Sequence, residues 1–136
     1  MRVAAGLYRG GTSRGLIFSA SDLAMYSQRA REYIICSAMG SPDPDQRQID
    51  GVGGGVSSLS KAAVVSVPSR DRHMDRLSRM GEEWAFPGVP WADDVVRACD
   101  AETGYDAVYR FGQVPVSGGT GIDWSATCGN MMSAVA

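Results

Sequence analysis

The amino-acid sequence predicts an α+β domain with a largely antiparallel sheet. Short runs of apolar and β-branched residues, typical of strands, recur along the chain, whereas segments with helical periodicity are few and scattered. This mixture favours α+β over the regular strand–helix alternation of an α/β protein. The chain has 136 residues, of which 44% are hydrophobic, enough for one domain with a packed core.

The first predicted unit is a β-hairpin. "RVAAGLY" at 2–8 and "LIFSA" at 16–20 have the composition of strands. "RGGTSRG" at 9–15 predicts a tight loop between them, because adjacent glycines adopt backbone angles that other residues resist. After the hairpin, Ser19 and Asp22 have the spacing of a capping box, which indicates the start of a short helix.

A longer helix is predicted over "QRAREYIICSAM", ending at Gly40. We expect its inner face to carry Ala30, Tyr33, Ile34 and Ser37. The outer face is expected to carry Arg29, Arg31 and Glu32. Cys36 lies among apolar neighbours and is expected in the core. Two prolines exclude a helix interior from the segment "SPDPDQRQ" that follows.

The second half of the chain begins with the Gly/Ser-rich loop "IDGVGGGVSSLS" and the strand "KAAVVSV". Residues 68–104 are irregular and charged, with helices expected at 71–80 and 92–99, and we interpret them as a surface insertion. The segment "YDAVYRFGQVPV" alternates in the manner of a half-buried strand. "SGGTG" predicts a turn, "IDWS" a short strand, and a last helix begins at about Gly129.

Composition excludes several classes of protein. The net charge of −2 and pI near 5.3 argue against a nucleic-acid-binding surface, and the apolar runs are far shorter than a membrane span. The three cysteines, Cys36, Cys99 and Cys128, are odd in number and widely spaced, which indicates a reducing, cytoplasmic compartment and neither a disulfide scaffold nor a metal site. Residues 1–20 carry arginines and no acid, so a mitochondrial transit peptide is an alternative. The single histidine, His73, lies in a polar run and gives little support to a histidine-based triad.

Three loops rich in small polar residues are candidate binding elements. In the first, hydroxyls, backbone N–H groups and an arginine could cradle an anion such as a carboxylate; a plain glycine hairpin is the alternative. Its candidate residues are Arg9, Gly10, Gly11, Thr12 and Ser13. In the second, contiguous glycines bring backbone amides close to a ligand and serines add hydroxyls. Its candidate residues are Gly53, Gly54, Ser57 and Ser60.

Lys61 follows the second loop and is the only lysine among thirteen basic residues. No Gly-Lys pair occurs, so the loop is not a nucleotide P-loop. Partial burial can lower the pKa of a lysine from about 10.4, which lets the amine accept a proton near neutral pH. The alternative is an exposed lysine that opens a strand.

The third loop is Cys128–Gly129–Asn130, at the predicted start of the last helix. Free N–H groups there would stabilise a thiolate and could bind a carboxylate or enolate oxygen. The alternative is a small buried residue that caps the helix. Taken together, a lysine and a cysteine flanked by anion-binding loops predict proton-transfer chemistry on a carboxylate substrate, which requires no cofactor.

Three motifs in order, "RGGTSRGLIF", "RQIDGVGGGVSSLSKAAVV" and "YRFGQVPV" with "IDWSATCGNMMSAVA", resemble the PrpF family. That family includes methylaconitate and aconitate isomerases, methylitaconate isomerase and oxalomesaconate tautomerase. The resemblance covers residues 2–67 and 105–136. It implies a diaminopimelate-epimerase-like fold, in which two domains each wrap a curved sheet around a central helix. It also implies cofactor-independent isomerisation of unsaturated di- or tricarboxylic acids such as aconitate.

By the same resemblance Lys61 and Cys128 match the catalytic lysine and cysteine, and Arg9–Ser13 match a carboxylate-binding loop. This chain has Thr127 where the family often has Asn, and it is much shorter than two domains. We therefore expect residues 1–136 to be the N-terminal domain only, a fragment truncated in its central helix. Such a fragment would be inactive alone and prone to self-association, including homo-oligomers. The alternatives are an amino-acid racemase or epimerase of the same fold, and a non-catalytic remnant that binds carboxylates or a partner protein.

Overall fold

The computed structural model describes residues 2–23, 25–66, 107–117 and 121–136. The elements within these ranges are β1 (Ala5–Gly10), β2 (Ser13–Ser19), α1 (Ala20–Leu23), α2 (Gln28–Met39), a 3₁₀ turn (Ser57–Leu59), β3 (Lys61–Ser66), β4 (Val108–Gln113) and α3 (Gly129–Met132). The predicted insertion at 68–104, with His73 and Cys99, lies outside the described residues, and so does most of the predicted "SGGTG" turn. No helix in the described ranges is long and apolar enough to cross a membrane.

The four strands form one sheet in the order β1-β2-β3-β4. The pairs β1–β2 and β3–β4 are antiparallel, and β2–β3 is parallel. The crossover that a parallel pair requires contains α1, α2 and the Gly/Ser-rich loop. The α+β prediction is confirmed, as are the predicted strands of the hairpin, of "KAAVVSV" and within "YDAVYRFGQVPV". The predicted short strand at "IDWS" is wrong, because that segment forms only an isolated bridge between Asp123 and Gln113.

The N-terminal hairpin turns through only two residues, Gly11 and Thr12. Gly11 has a φ of 53°, a conformation that glycine adopts without steric cost. Residues that the sequence assigned to the loop, from Ser13 onward, belong to β2. The strands therefore extend almost to the tip and hold the turn residues in a defined register.

Helix α2 ends at Gly40 as predicted, with Gly40 at a φ of 78°. Its predicted buried face is wrong except at Ile34, which packs against the core. Tyr33 is 72% exposed, whereas Ile35, Met39 and the charged Arg31 are buried. Burial of Arg31 is compensated by a hydrogen bond of 2.9 Å from its Nε to the carbonyl oxygen of Leu23, which aligns the helix with the preceding chain. Cys36 is buried, as predicted.

The two faces of the sheet have different partners. One face packs against α2 and α1 and forms the larger core; its strand residues include Leu16, Phe18, Ala62 and Val64. The opposite face carries a smaller cluster of Ala63, Phe111 and Met131, with Cys128 packed beside it. Since side chains alternate along a strand, Lys61 shares its face with Ala63. The smaller cluster therefore brings α3, Cys128 and Lys61 to the same side of the sheet.

Candidate active site

The hairpin turn and the Cys128–Asn130 segment are far apart in the chain but are in direct contact in the structure. The amide Nδ2 of Asn130 donates a hydrogen bond of 3.0 Å to Oγ1 of Thr12. A side chain at Gly10 would overlap the backbone oxygen of Asn130, and one at Gly11 would lie 2.8 Å from its Oδ1. The two glycines therefore allow α3 to approach the hairpin backbone directly.

This approach places Cys128 beside Ser13, the first residue of β2. The Sγ and Oγ atoms lie 3.7 Å apart, within hydrogen-bonding distance for sulfur. Ser13 is buried, and Cys128 is half-buried between the sheet and solvent. The first and third loops of the sequence prediction are thus parts of one site.

Lys61 is the first residue of β3 and lies between Gly15 of β2 and Gln113 of β4. It is only 9% exposed. Its Nζ donates a hydrogen bond of 2.7 Å to Oε1 of Gln113 and lies 5.0 Å from the centre of the Phe111 ring, a cation–π distance. A side chain at Gly15 would overlap the carbonyl oxygen of Lys61. The lysine is therefore held in the sheet instead of extending freely into solvent.

The thiol of Cys128 has a lowered pKa. Burial acts to raise the pKa, but four influences together outweigh it. The N–H of Met131 and the hydroxyl of Ser13 bond to the sulfur, the positive charge of Lys61 attracts the thiolate, and the N–H of Asn130 adds a further bond. The thiolate is thus stabilised by specific neighbours, and Lys61 is electrostatically coupled to Cys128.

The pKa values of two other groups, Cys36 and Tyr109, are raised instead of lowered. Burial and the charge of Glu32 raise the pKa of the Cys36 thiol to about 11. Burial and the neighbouring Cys128 raise the pKa of Tyr109 to about 12. The Tyr109 hydroxyl donates a long hydrogen bond, 3.4 Å, to the carbonyl oxygen of Cys128. Tyr109 therefore remains a protonated donor at neutral pH.

The contrast between the two cysteines predicts selective alkylation. A lowered pKa gives more thiolate at a given pH, so the iodoacetamide rate at Cys128 should level off at lower pH than that of an ordinary thiol. At pH 8 we expect Cys128 to react at least about tenfold faster than Cys36. Trypsin separates the cysteines into peptides 32–47, 98–110 and 111–136, so mass spectrometry measures each rate in one sample. Equal rates at Cys128 and Cys36 would contradict the described electrostatics.

The Gly/Ser-rich loop contributes less directly than its composition predicts. Ser60 is fully buried, and its hydroxyl faces the side-chain oxygen of Gln48 at 2.5 Å and the carbonyl oxygen of Val56 at 2.8 Å. A side chain at Gly53 would overlap Gln48, and one at Gly54 would lie 2.6 Å from Leu59. These three residues shape the loop, and their predicted contact with substrate stays a prediction.

The remaining predicted residues are at the edge of the cluster. Arg9 is exposed, and strand alternation places it on the face opposite Gly10, which approaches Asn130. Gly129 is exposed, with open space around it. Ser57 is exposed and presents its carbonyl oxygen to Nε2 of Gln113.

Gln113 is the residue of the site that the sequence interpretation missed. The sequence pattern predicts only that it lies in a half-buried strand. The sequence does contain an indication of Gln113, because a polar amide ends the apolar alternation in "YRFGQVPV". Its pairing with Lys61, however, depends on the register of the two strands, which the sequence pattern does not give. The described register sets Gln113 directly opposite Lys61.

Comparisons with known proteins identify the family of the chain. The sequence profile of the family described as PrpF protein matches residues 1–77, more than half of the chain. The chain belongs to the PrpF family. It is 34% identical over 138 residues to a 2-methyl-aconitate isomerase of Shewanella oneidensis, covering 99% of this chain and 26% of the relative. It is 50% identical over 62 residues to a (4E)-oxalomesaconate Delta-isomerase of a Novosphingobium species, covering 46% of this chain and 16% of the relative.

Among solved structures, the crystal structure of a methylitaconate-delta-isomerase is similar. The TM-score is 0.63 at 26% identity, and the match covers 99% of this chain and 26% of that one. The similarity confirms the predicted diaminopimelate-epimerase-like fold of the PrpF family. The chain spans about a quarter of the length of the Shewanella relative and of this solved structure.

Proposed function

We propose that the chain supplies Lys61 and Cys128 to a cofactor-independent isomerase of unsaturated di- or tricarboxylic acids, of the aconitate or methylaconitate type. The observation that carries the proposal is the convergence of a buried lysine and a thiol of lowered pKa on one face of the sheet. Such a pair can supply both a proton acceptor and a proton donor. The names of the PrpF relatives support the substrate class.

In the proposed reaction the neutral amine of Lys61 removes a proton from the carbon allylic to the double bond. The electron pair of the broken C–H bond enters the allylic system as a dienolate, and the thiol of Cys128 donates a proton at its far end. The double bond shifts, the substrate loses and gains one proton, and an ammonium and a thiolate remain. That pair is the donor and acceptor of the reverse reaction, and proton exchange with water restores the starting state.

The substrate carboxylates are proposed to bind at the hairpin. Thr12, Ser13 and the amide of Asn130 offer polar hydrogens close to Cys128. In this proposal residues 1–136 form one wall of a cleft, as the N-terminal domain of a two-domain isomerase. Catalysis needs groups positioned on both sides of a substrate and exclusion of water, so we expect the 136-residue chain alone to be inactive.

The test is an NMR assay in D₂O. The protein encoded by the full reading frame that contains these residues, and the 136-residue chain in parallel, are incubated with cis-aconitate, trans-aconitate and 2-methyl-aconitate. Isomerisation with deuterium at the newly protonated carbon supports the proposal. A parallel incubation with L-amino acids tests the alternative, because exchange of their α-hydrogen without isomerisation of the acids would indicate a racemase instead. Saturable binding of the acids without turnover would indicate a non-catalytic carboxylate-binding protein.

A further inference from the structure

Gln113 occupies a fixed position beside Lys61. It is the cross-strand partner of Lys61 at the end of β4. Its backbone N–H donates to the carbonyl oxygen of Asp123 at 2.9 Å, and its carbonyl oxygen accepts from the N–H of Asp123 at 3.0 Å. Both main-chain groups of Gln113 are thus bonded to Asp123, and the next residue, Val114, donates its N–H to the carbonyl oxygen of Ser60 at 3.0 Å. Its side chain starts from a rigid point.

The orientation of the Gln113 amide is determined by its neighbours. Nε2 faces the backbone carbonyl oxygens of Ser60 at 2.8 Å and Ser57 at 3.1 Å, which can only accept hydrogen bonds. Oε1 faces Nζ of Lys61 at 2.7 Å, which donates. A flipped amide would set its NH₂ group against the lysine and its oxygen against two carbonyl oxygens. Only the described orientation satisfies all three contacts.

A neutral acceptor at this position has a particular consequence for a lysine that exchanges protons. Both the ammonium and the neutral amine carry an N–H that can bond to Oε1, so the contact persists in either protonation state. A carboxylate would instead favour the charged form. Since Oε1 only accepts, the lone pair of the neutral amine must point away from Gln113. The amide therefore directs the basic lone pair without holding the proton.

We propose that Gln113 is a positioning residue that holds the nitrogen of Lys61 through its amide oxygen and directs the amine for proton transfer. This inference rests on the proposed function for its catalytic meaning, but the placement itself is measurable without any substrate. The simpler alternative is that Gln113 only fastens the Ser57–Ser60 turn to β4 through Nε2. That structural role would affect stability but not the behaviour of the lysine.

The first arm of the test measures the exposure of Lys61 to a reagent. Lys61 is the only lysine of the 136-residue chain, so peptide mass spectrometry separates its acetylation by an N-hydroxysuccinimide ester from that of the N-terminal amine. Gln113→Met, which removes the acceptor at similar size, should raise the acetylation rate about tenfold. Gln113→Glu keeps an acceptor and should not raise the rate. Gln28→Met, the same change in α2, serves as the matched control. An unchanged rate in a folded Gln113→Met protein overturns the proposal.

The second arm uses the protein from the full reading frame. Gln113→Met should lower kcat by about 10²-fold with a smaller change in KM, as expected when a reacting group is misplaced. Wild-type kcat in Gln113→Met, or a change in KM as large as the change in kcat, overturns the catalytic part.

The two experiments distinguish a wrong proposed function from a wrong positioning role for Gln113. If the first arm gives the expected rates and the wild-type protein isomerises none of the acids, the proposed function is wrong while the placement of Lys61 by Gln113 stands. If the wild-type protein is active and the acetylation rate does not change, the function stands and the positioning role of Gln113 is wrong.

Discussion

In the protein encoded by the full reading frame, Lys61→Met is expected to lower the proposed isomerase turnover by about 10³-fold or more, within the range that general acid–base groups supply. Methionine retains most of the aliphatic stem and can pack against Phe111, but it has no basic nitrogen. The substitution also removes the donor to Gln113 and the positive charge that stabilises the Cys128 thiolate. The pH at which Cys128 becomes reactive should therefore rise in the same variant. Turnover is measured by the NMR assay and thiol reactivity by alkylation.

The matched control is Lys61→Arg. Arginine keeps a positive charge and can donate to Gln113, but it cannot be deprotonated in a protein, so it cannot serve as the base. We expect Lys61→Arg to preserve the early reactivity of Cys128 and still lose turnover. Circular dichroism and melting temperature establish that both variants are folded. Activity above about a tenth of wild type in either variant would exclude Lys61 as the base.

The parts of the fold that the sequence predicted are those determined by local chemistry. The hairpin follows from adjacent glycines, the end of α2 from Gly40, and the start of α3 from the residues after Cys128. The buried face of α2 was predicted wrongly because "YIIC" offers two overlapping apolar stripes. The choice between them depends on a hydrogen bond from Arg31 to Leu23, a contact in three dimensions that periodicity does not contain.

The candidate site likewise has a part that local sequence predicted and a part that depends on contacts in three dimensions. Lys61 and Cys128 were conspicuous as a lone lysine after a glycine loop and a cysteine before a helix. Their coupling through electrostatics, and the role of Gln113 between β4 and Lys61, require the strand register. Ser60 shows the converse, because a serine in a polar loop predicts a ligand contact, yet its hydroxyl is buried against Gln48. Composition therefore located the loops, while packing decided which of their atoms face the site.

Gly10→Ala is expected to destabilise the protein by about 3 kcal/mol, the upper part of the usual range for overpacking. The new methyl group would overlap the carbonyl oxygen of Asn130 and lie 2.9 Å from Oγ of Ser133. The first of these is a backbone atom, so no side-chain rotation relieves the overlap and α3 must move off the hairpin. For a chain of this size the change corresponds to a loss of about 10 °C in melting temperature, measured by calorimetry.

The same displacement would separate Cys128 from Ser13, which are 3.7 Å apart only because α3 lies against the hairpin. Alkylation of Cys128 in Gly10→Ala should accordingly require a higher pH. Gly121→Ala is the matched control, since a methyl group there meets no described atom within 4 Å and should change stability by less than about 0.5 kcal/mol. If Gly10→Ala melts like Gly121→Ala and Cys128 keeps its reactivity, α3 does not lie against the hairpin. If both properties change together, the close approach at Gly10 is what brings the thiol into the site.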